Sequence, residues 1–343
     1  MSEDKPLKVA VVGAGAFGRN HLRVYSELQA TQPVALCAVV DRDPVARQAA
    51  VEKFGIPGFA TVAECLAAVG PLDAASVCVP TVHHAAVSEE LLVSGVDVLI
   101  EKPLAASLAE ADRICALAEQ YGRVVQAGHL ERFNPAVTAA RAYLNRPMFF
   151  EAHRLSVFTP RSLDVDVVLD LMIHDLDIVL SLVASPVREV RAVGLPVLSR
   201  KVDIANVRVE FEDGCIANFT ASRVSTERVR KLRFFQPHQY LSLDFARQDL
   251  LMIDVTAAAG MDPSQLAAMT AAMQTGQHPS AGLSLRKVPV EQGEPLRLEI
   301  ASFLDAVRTR AVPVVSARDG RNALALALEI NQAIKQHALR AGL

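Results

Sequence analysis

The sequence carries no excess of charge of either sign. Its 35 Lys and Arg are nearly balanced by 38 Asp and Glu, for a formal net charge of −3, so it offers no general basic field to nucleic acid or to an anionic membrane. It also lacks an uninterrupted apolar run of about 18 residues, the length a membrane-spanning helix needs. The longest candidate, residues 167–183, is broken by three aspartates and a histidine. Cysteine is scarce: Cys37, Cys65, Cys78, Cys115 and Cys215 are scattered, odd in number and without a CxxC pair. That argues against a disulfide framework or a zinc cluster and for small buried thiols in a reducing compartment. The opening MSEDKPLKVAVVGAG has no basic stretch followed by a signal-type apolar segment. Together these absences predict a cytoplasmic protein with no nucleic-acid and no membrane partner.

What is present is apolar substance and alternation. Apolar residues make up 51% and charged residues 21% of the chain, enough to bury sizeable cores and to exclude global disorder. A length of 343 residues suits two domains at about 150 residues each. Residues 7–12, LKVAVV, read as a buried strand, and GAGAFG follows at once. Gly13, Gly15 and Gly18 have the GxGxxG spacing, with Ala16 and Phe17 completing the loop and a helical stretch after it. Such glycines permit a tight turn, close approach to a pyrophosphate and close helix–strand packing, with the phosphates at the helix N-terminus. A second apolar run, VALCAVVD, ends in Asp41, at about the distance where an acid binds the adenine ribose hydroxyls. Asp41 points to NAD over NADP by repelling a 2′-phosphate. The neighbouring Arg42 leaves NADP open, because a guanidinium can stack on adenine or pair with that phosphate.

The alternation continues through AASVCVP (74–80), DVLIEKP (97–103) and RVVQAGH (123–129), with amphipathic helical stretches between them. Short β-branched runs separated by helices indicate a doubly wound parallel sheet covered on both faces. Ligands bind beyond the strand C-termini in such sheets, so the strand ends Pro80-Thr81, Glu101-Lys102-Pro103 and Gly128-His129 are expected to border the nicotinamide, and His84 is a further cofactor-binding candidate. Lys102, at the tip of an apolar strand and followed by a stiffening proline, is a functional candidate.

Past residue 129 the texture changes. MFFEAHRLSVFTP, VREVRAVGL, VDIANVRVEFEDGCIANFTASRVS and RKLRFFQPHQYLSLDFARQDLLMIDV read as long strands, with EDG at 212–214 a turn between two of them. The predicted architecture is a Rossmann domain over residues 1–127 and an α+β domain over 128–343 with a large, mainly antiparallel open sheet. Residues 256–293 are rich in small and polar residues and predict a mobile or partner-contacting insertion with little strand character.

Within 167–183, VVLDLMIHDLDIVLSLV, a spacing of about 100° per residue puts Asp170, His174 and Asp177 on one stripe and Asp175 away from it. Apolar residues cover nearly every other direction. Burying an unpartnered carboxylate or imidazole costs several kcal/mol, roughly 2–7 for a neutral polar group and more for a charge. These residues therefore either satisfy one another or face a wet cleft. Ahead of them, His129, Arg132, Asn134, Arg154, Thr159 and Arg161 are substrate-binding candidates. Three arginines suggest an anionic group on the ligand, the alternative being that Arg132 and Arg154 brace the domain junction. A metal site from Asp170, His174 and His129 or His153 lacks the short fixed ligand spacing zinc prefers, and no metal is expected.

GAGAFG, the EKP of 101–103 and Asp170-xxx-His174, in that order, resemble the Gfo/Idh/MocA family of oxidoreductases over essentially the whole chain. The resemblance implies an NAD-dependent enzyme acting on a secondary hydroxyl, with Lys102 binding substrate and nicotinamide and supporting proton transfer, His174 as catalytic base and Asp170 orienting or charging it; the sequence leaves open whether His174 or Lys102 takes the proton. It further implies a homodimer or homotetramer formed through the C-terminal sheet. Many members have consecutive glycines where DVDVV stands at 164–168. GHLERFNPAV and FTPRSLDVDVVLDLMIHDLDI are similar to the branch that oxidises the 3-hydroxyl of UDP-N-acetylglucosamine, a step towards envelope amino sugars such as those of lipid A. A free sugar or inositol is the alternative substrate, and a non-catalytic dinucleotide sensor the alternative of another kind.

Overall fold

The computed structural model describes residues 5–159, 165–255, 262, 264–265 and 284–342. By packing, the chain divides into two compact units: Met1–Phe133 with Glu294–Ala325, and Asn134–Gly293 with Leu326–Leu343. A single break near residue 127 does not describe this division, because 294–325 returns to the first unit.

The first unit is built on six parallel strands: β1 (Leu7–Val12), β2 (Val34–Val40), β3 (Gly58–Phe59), β4 (Ala74–Val77), β5 (Asp97–Glu101) and β6 (Val125–Gly128), in the order β3-β2-β1-β4-β5-β6. Every residue of β4, β5 and β6 is buried, as expected of a parallel sheet covered on both faces. The connecting helices are α1 (Ala16–Leu28), α2 (Pro44–Phe54), α3 (Val62–Val69), α4 (His84–Val93) and α5 (Leu108–Gln120). Their ends follow the local chemistry. Asp43 caps α2, Gly55 stops it in the left-handed region at φ 66°, and Ser107 with Glu110 forms a reciprocal capping box on α5.

The reason 294–325 joins this unit is a helix face. The helix Pro295–Thr309 (α8) places Leu296, Ile300, Phe303, Leu304 and Val307 at helical spacing. They share a core with Leu22, Tyr25 and Leu28 of α1. The strand order changes direction between β1 and β4, and that switch point is where an open α/β sheet forms its ligand crevice.

The second unit holds an eight-stranded sheet, β14-β13-β12-β11-β7-β10-β9-β8. Its strands are β7 (Phe149–Leu155), β8 (Val187–Leu195), β9 (Ile204–Phe211), β10 (Ile216–Ser222), β11 (Val229–Gln236), β12 (Gln239–Asp244), β13 (Asp249–Asp254) and β14 (Ser284–Val288). All pairings are antiparallel except β7 with β10. Glu212 to Gly214 make the expected turn between β9 and β10, with Gly214 at φ 85°. Alternate residues such as Phe150, Leu232, Phe234 and Leu241 are fully buried, so one face of the sheet builds the core. Helix α6 (Pro135–Arg141) packs on β12 and β13, and a π-helical turn (Val168–Met172) that runs into α7 (Ile173–Leu182) packs on β10. Helix α9 (Ala317–Ala341) gives its first residues to unit 1 and the rest to unit 2.

Most of the segment 256–293 expected as an insertion lies outside the described residues. Its end corrects the expectation, because Ser284–Val288 is a strand paired with β13. Five residues with Arg286 and Lys287 in the middle carry no strand signal of their own, and the neighbouring edge supplies the pairing. Among the described residues no helix is long and apolar enough to cross a membrane.

Candidate active site

The Gly-rich loop is a backbone-on-backbone construction. Gly13 has φ 101°, and a Cβ there would lie 2.6 Å from the Cys78 main chain after β4. A Cβ on Gly18 would sit 1.8 Å from the Gly13 carbonyl oxygen, so only glycine lets α1 approach the turn. Gly15 is different: a Cβ there would meet nothing among the described residues within 4 Å. The N-terminus of α1 has no side-chain cap and no acid in its first turn, and Gly15, Ala16 and Phe17 are exposed. Open space in front of uncapped N–H groups at the positive end of a helix fits the pyrophosphate of a dinucleotide. Asp41, half-buried at the end of β2, accepts from Ala14 N at 2.6 Å and from Asp43 N at 2.8 Å. Arg42 beside it is exposed, while Arg47 donates to the Asp41 carbonyl oxygen at 2.6 Å.

Around the ends of β4 and β5, Pro80 is exposed and Thr81 half-buried, and they open a short 3-10 turn into α4. His84 is buried, its Nδ1 at 2.9 Å from the Pro103 carbonyl oxygen and its Nε2 at 2.9 Å from that of Val79. It therefore braces two strand ends from behind. Burial holds its imidazole below the ordinary histidine range, against the pull of the two carbonyls and the Glu101 carboxylate. Glu101 is also buried, its Oε1 meeting His21 Nε2 at 2.9 Å and its Oε2 accepting from Lys102 N at 3.3 Å. Lys102 is half-buried. The Cys78 thiol is pushed well above its usual range by burial, and next by the Glu101 and Glu299 carboxylates, which disfavours the thiolate. His129 is fully buried, and Arg132 is nearly so, its guanidinium 3.8 Å from Asp319.

In the second unit the polar residues of 167–183 separate by environment. Asp170 and His174 are half-buried while Met172, Ile173, Leu176 and Ile178 around them are fully buried. The helix opens with a π-helical turn that contains Asp170 and gives way to α-helix just before His174. Such turns recur at functional sites. Asp175, off the stripe as expected, is buried and takes both Nε and Nη2 of Arg154 at 2.8 Å. Arg154 also lies over the Phe245 ring at 5.3 Å. Asp177, on the stripe, is buried with the apolar residues. Asn134 caps α6 through Ala136 N at 3.2 Å and donates to the Phe245 carbonyl oxygen at 3.0 Å. Both Arg154 and Asn134, expected to contact substrate, are thus committed to internal partners. Thr159 is exposed, and Arg161 lies outside the described residues. Among the described residues no group of three or more His, Cys, Asp or Glu is arranged to hold a metal.

Two family models match the chain. One, described as an oxidoreductase family with an NAD-binding Rossmann fold, covers residues 7–129, and the other, the GFO/IDH/MocA C-terminal domain, covers 136–236. The chain belongs to the Gfo/Idh/MocA family. It is an NAD-dependent oxidoreductase, with the Gly13–Gly18 loop and Asp41 as the groups suited to hold the dinucleotide. UDP-N-acetylglucosamine 3-dehydrogenase of Acidithiobacillus ferrooxidans is 33% identical over 330 residues, 96% of this chain and 97% of that one. Its solved structure matches with a TM-score of 0.84 at 31% identity, covering 96% of this chain and 98% of that chain. An inositol 2-dehydrogenase of Acidothermus cellulolyticus is 29% identical over 56% of this chain and 58% of its own. Levoglucosan dehydrogenase in complex with NADH shares the fold, with a TM-score of 0.83 at 16% identity over 97% of this chain and 98% of that chain.

Two features of this Gfo/Idh/MocA chain escape a motif-based reading. The Arg154–Asp175 clamp joins residues 21 apart, and nothing local pairs them. His21 reads as one more residue of a helix, and its only signal is that it shares the buried side of α1 with Leu22 and Tyr25.

Proposed function

We propose that the protein oxidises the 3-hydroxyl of UDP-N-acetylglucosamine to the 3-keto sugar nucleotide, a reaction of envelope amino-sugar synthesis. The observation that carries this reading is the near end-to-end likeness to an enzyme of that name. Bound NAD supplies the hydride acceptor. The chain's own residues supply placement and charge. His174, a histidine on a half-buried helix face, accepts the hydroxyl proton, because an imidazole titrates near neutrality. Asp170, one turn earlier, orients that ring. Lys102 presents its ammonium to the reacting oxygen and stabilises the developing alkoxide. Arg154 acts indirectly, by clamping Asp175, the residue next to His174, so that the helix keeps its rotation.

A free sugar or inositol is the second reading. It is favoured by the engagement of Arg154 with Asp175, which removes one guanidinium from the set available for a diphosphate. The test is to incubate the purified protein with NAD and, separately, UDP-N-acetylglucosamine, N-acetylglucosamine and myo-inositol, following reduced-nicotinamide absorbance and product mass. The first reading expects reduction with the sugar nucleotide and a product lighter by two hydrogens. Reduction with inositol alone overturns it, and tight NADH binding without any turnover points to a sensor.

A further inference from the structure

His21 is fully buried on α1, six residues after the Gly15 that opens that helix at the phosphate loop. Its Nε2 meets the Glu101 carboxylate at 2.9 Å, and its Nδ1 has no hydrogen-bond partner among the described residues. With the carboxylate as acceptor, Nε2 is the donor of this pair. Leaving a buried polar atom unpaired costs about 1–3 kcal/mol, so a histidine kept here points to what its other nitrogen does. That nitrogen fixes Glu101, whose second oxygen holds the Lys102 backbone N–H at 3.3 Å. On the far side of Lys102, the Pro103 carbonyl oxygen lies 2.9 Å from His84 Nδ1. His84 is the first residue of α4, and its Nε2 reaches Val79 at the end of β4. Neither imidazole is exposed, at 0% and 1%, so neither can touch a ligand from its present place.

We propose that His21 and His84 are positioning residues for Lys102, His21 on α1 by fixing the Glu101 carboxylate that accepts the Lys102 N–H, and His84 on α4 by holding the Pro103 carbonyl on its other side. The inference deepens the catalytic reading above and rests on it for the role of Lys102. The grip fixes the root of the lysine side chain, so its ammonium explores fewer directions. It also ties the lysine to α1, the helix whose N-terminus faces the pyrophosphate. Misplacement of a reacting group by about 1 Å can cost on the order of 100-fold in rate, which is the scale on which such bracing acts.

The variants exploit the geometry of the two nitrogens. Glutamine places an amide near the histidine Nε2 position and asparagine near Nδ1. His21→Gln therefore keeps a donor to Glu101, and His21→Leu does not. Likewise, His84→Asn keeps the Pro103 contact, and His84→Gln keeps only the Val79 contact. With the proposed sugar nucleotide and NAD, His21→Leu is expected to lower kcat about 10-fold or more with NADH affinity within about 3-fold of the parent, and His21→Gln to recover most of it. His84→Asn should keep more activity than His84→Gln. In a Lys102→Ala background the His21→Leu change should cost less than about 2-fold, because residues acting as a unit are non-additive. Equal losses in both backgrounds, or equal losses in His21→Leu and His21→Gln, overturn the proposal and leave only packing. A readout without turnover separates this from the substrate reading: trace acetylation of Lys102 in the NADH-bound protein, followed by peptide mass spectrometry with surface Lys53 as reference. Faster labelling of Lys102 in His21→Leu supports the brace even if the parent turns over no sugar nucleotide. Unchanged labelling refutes it.

Discussion

Alanine at Gly15 and at Gly18 should have opposite effects on stability, and both should impair the cofactor site. At Gly15 the backbone has φ −62° and ψ −170°, which any residue adopts, and the added methyl meets no atom of the described residues within 4 Å. Replacing a glycine without strain removes unfolded-state freedom and stabilises by about 0.4–1 kcal/mol. The same methyl occupies the space in which the main chain approaches a pyrophosphate, so NAD affinity should fall at least about 10-fold, or 1.4 kcal/mol. At Gly18 the methyl would lie 1.8 Å from the Gly13 carbonyl oxygen and 2.8 Å from its carbon. Ordinary contacts begin near 3.4 Å, so α1 or the turn must retreat by more than 1 Å. Overpacking of this kind costs about 1–3 kcal/mol and occasionally more. Urea denaturation of the ligand-free protein and NADH fluorescence titration measure the two effects. A Gly15→Ala protein that is as stable as the parent and binds NADH equally well would refute the assignment of that space to the dinucleotide.

Removing Asp175 by alanine leaves the Arg154 charge buried and should cost about 3–5 kcal/mol, whereas Arg154→Met with Asp175→Leu should cost much less, since an apolar pair replaces the ion pair; chemical denaturation of the three proteins decides it. His84 is buried with its imidazole held below the 6.5 of an ordinary histidine, so the unfolded chain binds its proton more readily than the folded one. Its contribution to stability is complete above 6.5 and is lost as the pH falls from there; denaturation at stepped pH should show a shallower acid slope in His84→Asn. On the face of the second sheet opposite the core, Phe149, Phe235 and Tyr240 stack at 5.5 and 4.9 Å and Phe235 is 38% exposed. If copies of the chain associate through this face, Phe235→Asp should shift the mass measured by light scattering towards the monomer, and an unchanged oligomer would place the contact elsewhere.

The first unit was legible because its signals are local. Strand, glycine loop and helix follow one another within residues 7–28, and β5 ends in Glu101 followed by Lys102, so periodicity and turn chemistry alone place them. The stripe on 167–183 was legible in part. Asp175 falls off it and is buried, but the π-helical turn at Val168–Met172 has no sequence signature beyond the helix itself. The return of 294–325 to the first unit, the Arg154–Asp175 clamp and the His21–Glu101 contact join residues 21 to nearly 300 apart. They are set by how elements pack, which a single sequence does not print. Asn134 misled for a related reason. A helix-capping asparagine and a ligand-binding one look alike until the Ala136 N–H is seen to take its oxygen.

The central claim is that His174 accepts the substrate's proton, and replacing that one side chain tests it most directly. Turnover of UDP-N-acetylglucosamine by His174→Ala, measured beside NADH affinity, should fall about 100-fold or more, the contribution typical of a general base, while the cofactor binds as before. A His174→Ala protein that reduces NAD at the parent rate would contradict the account.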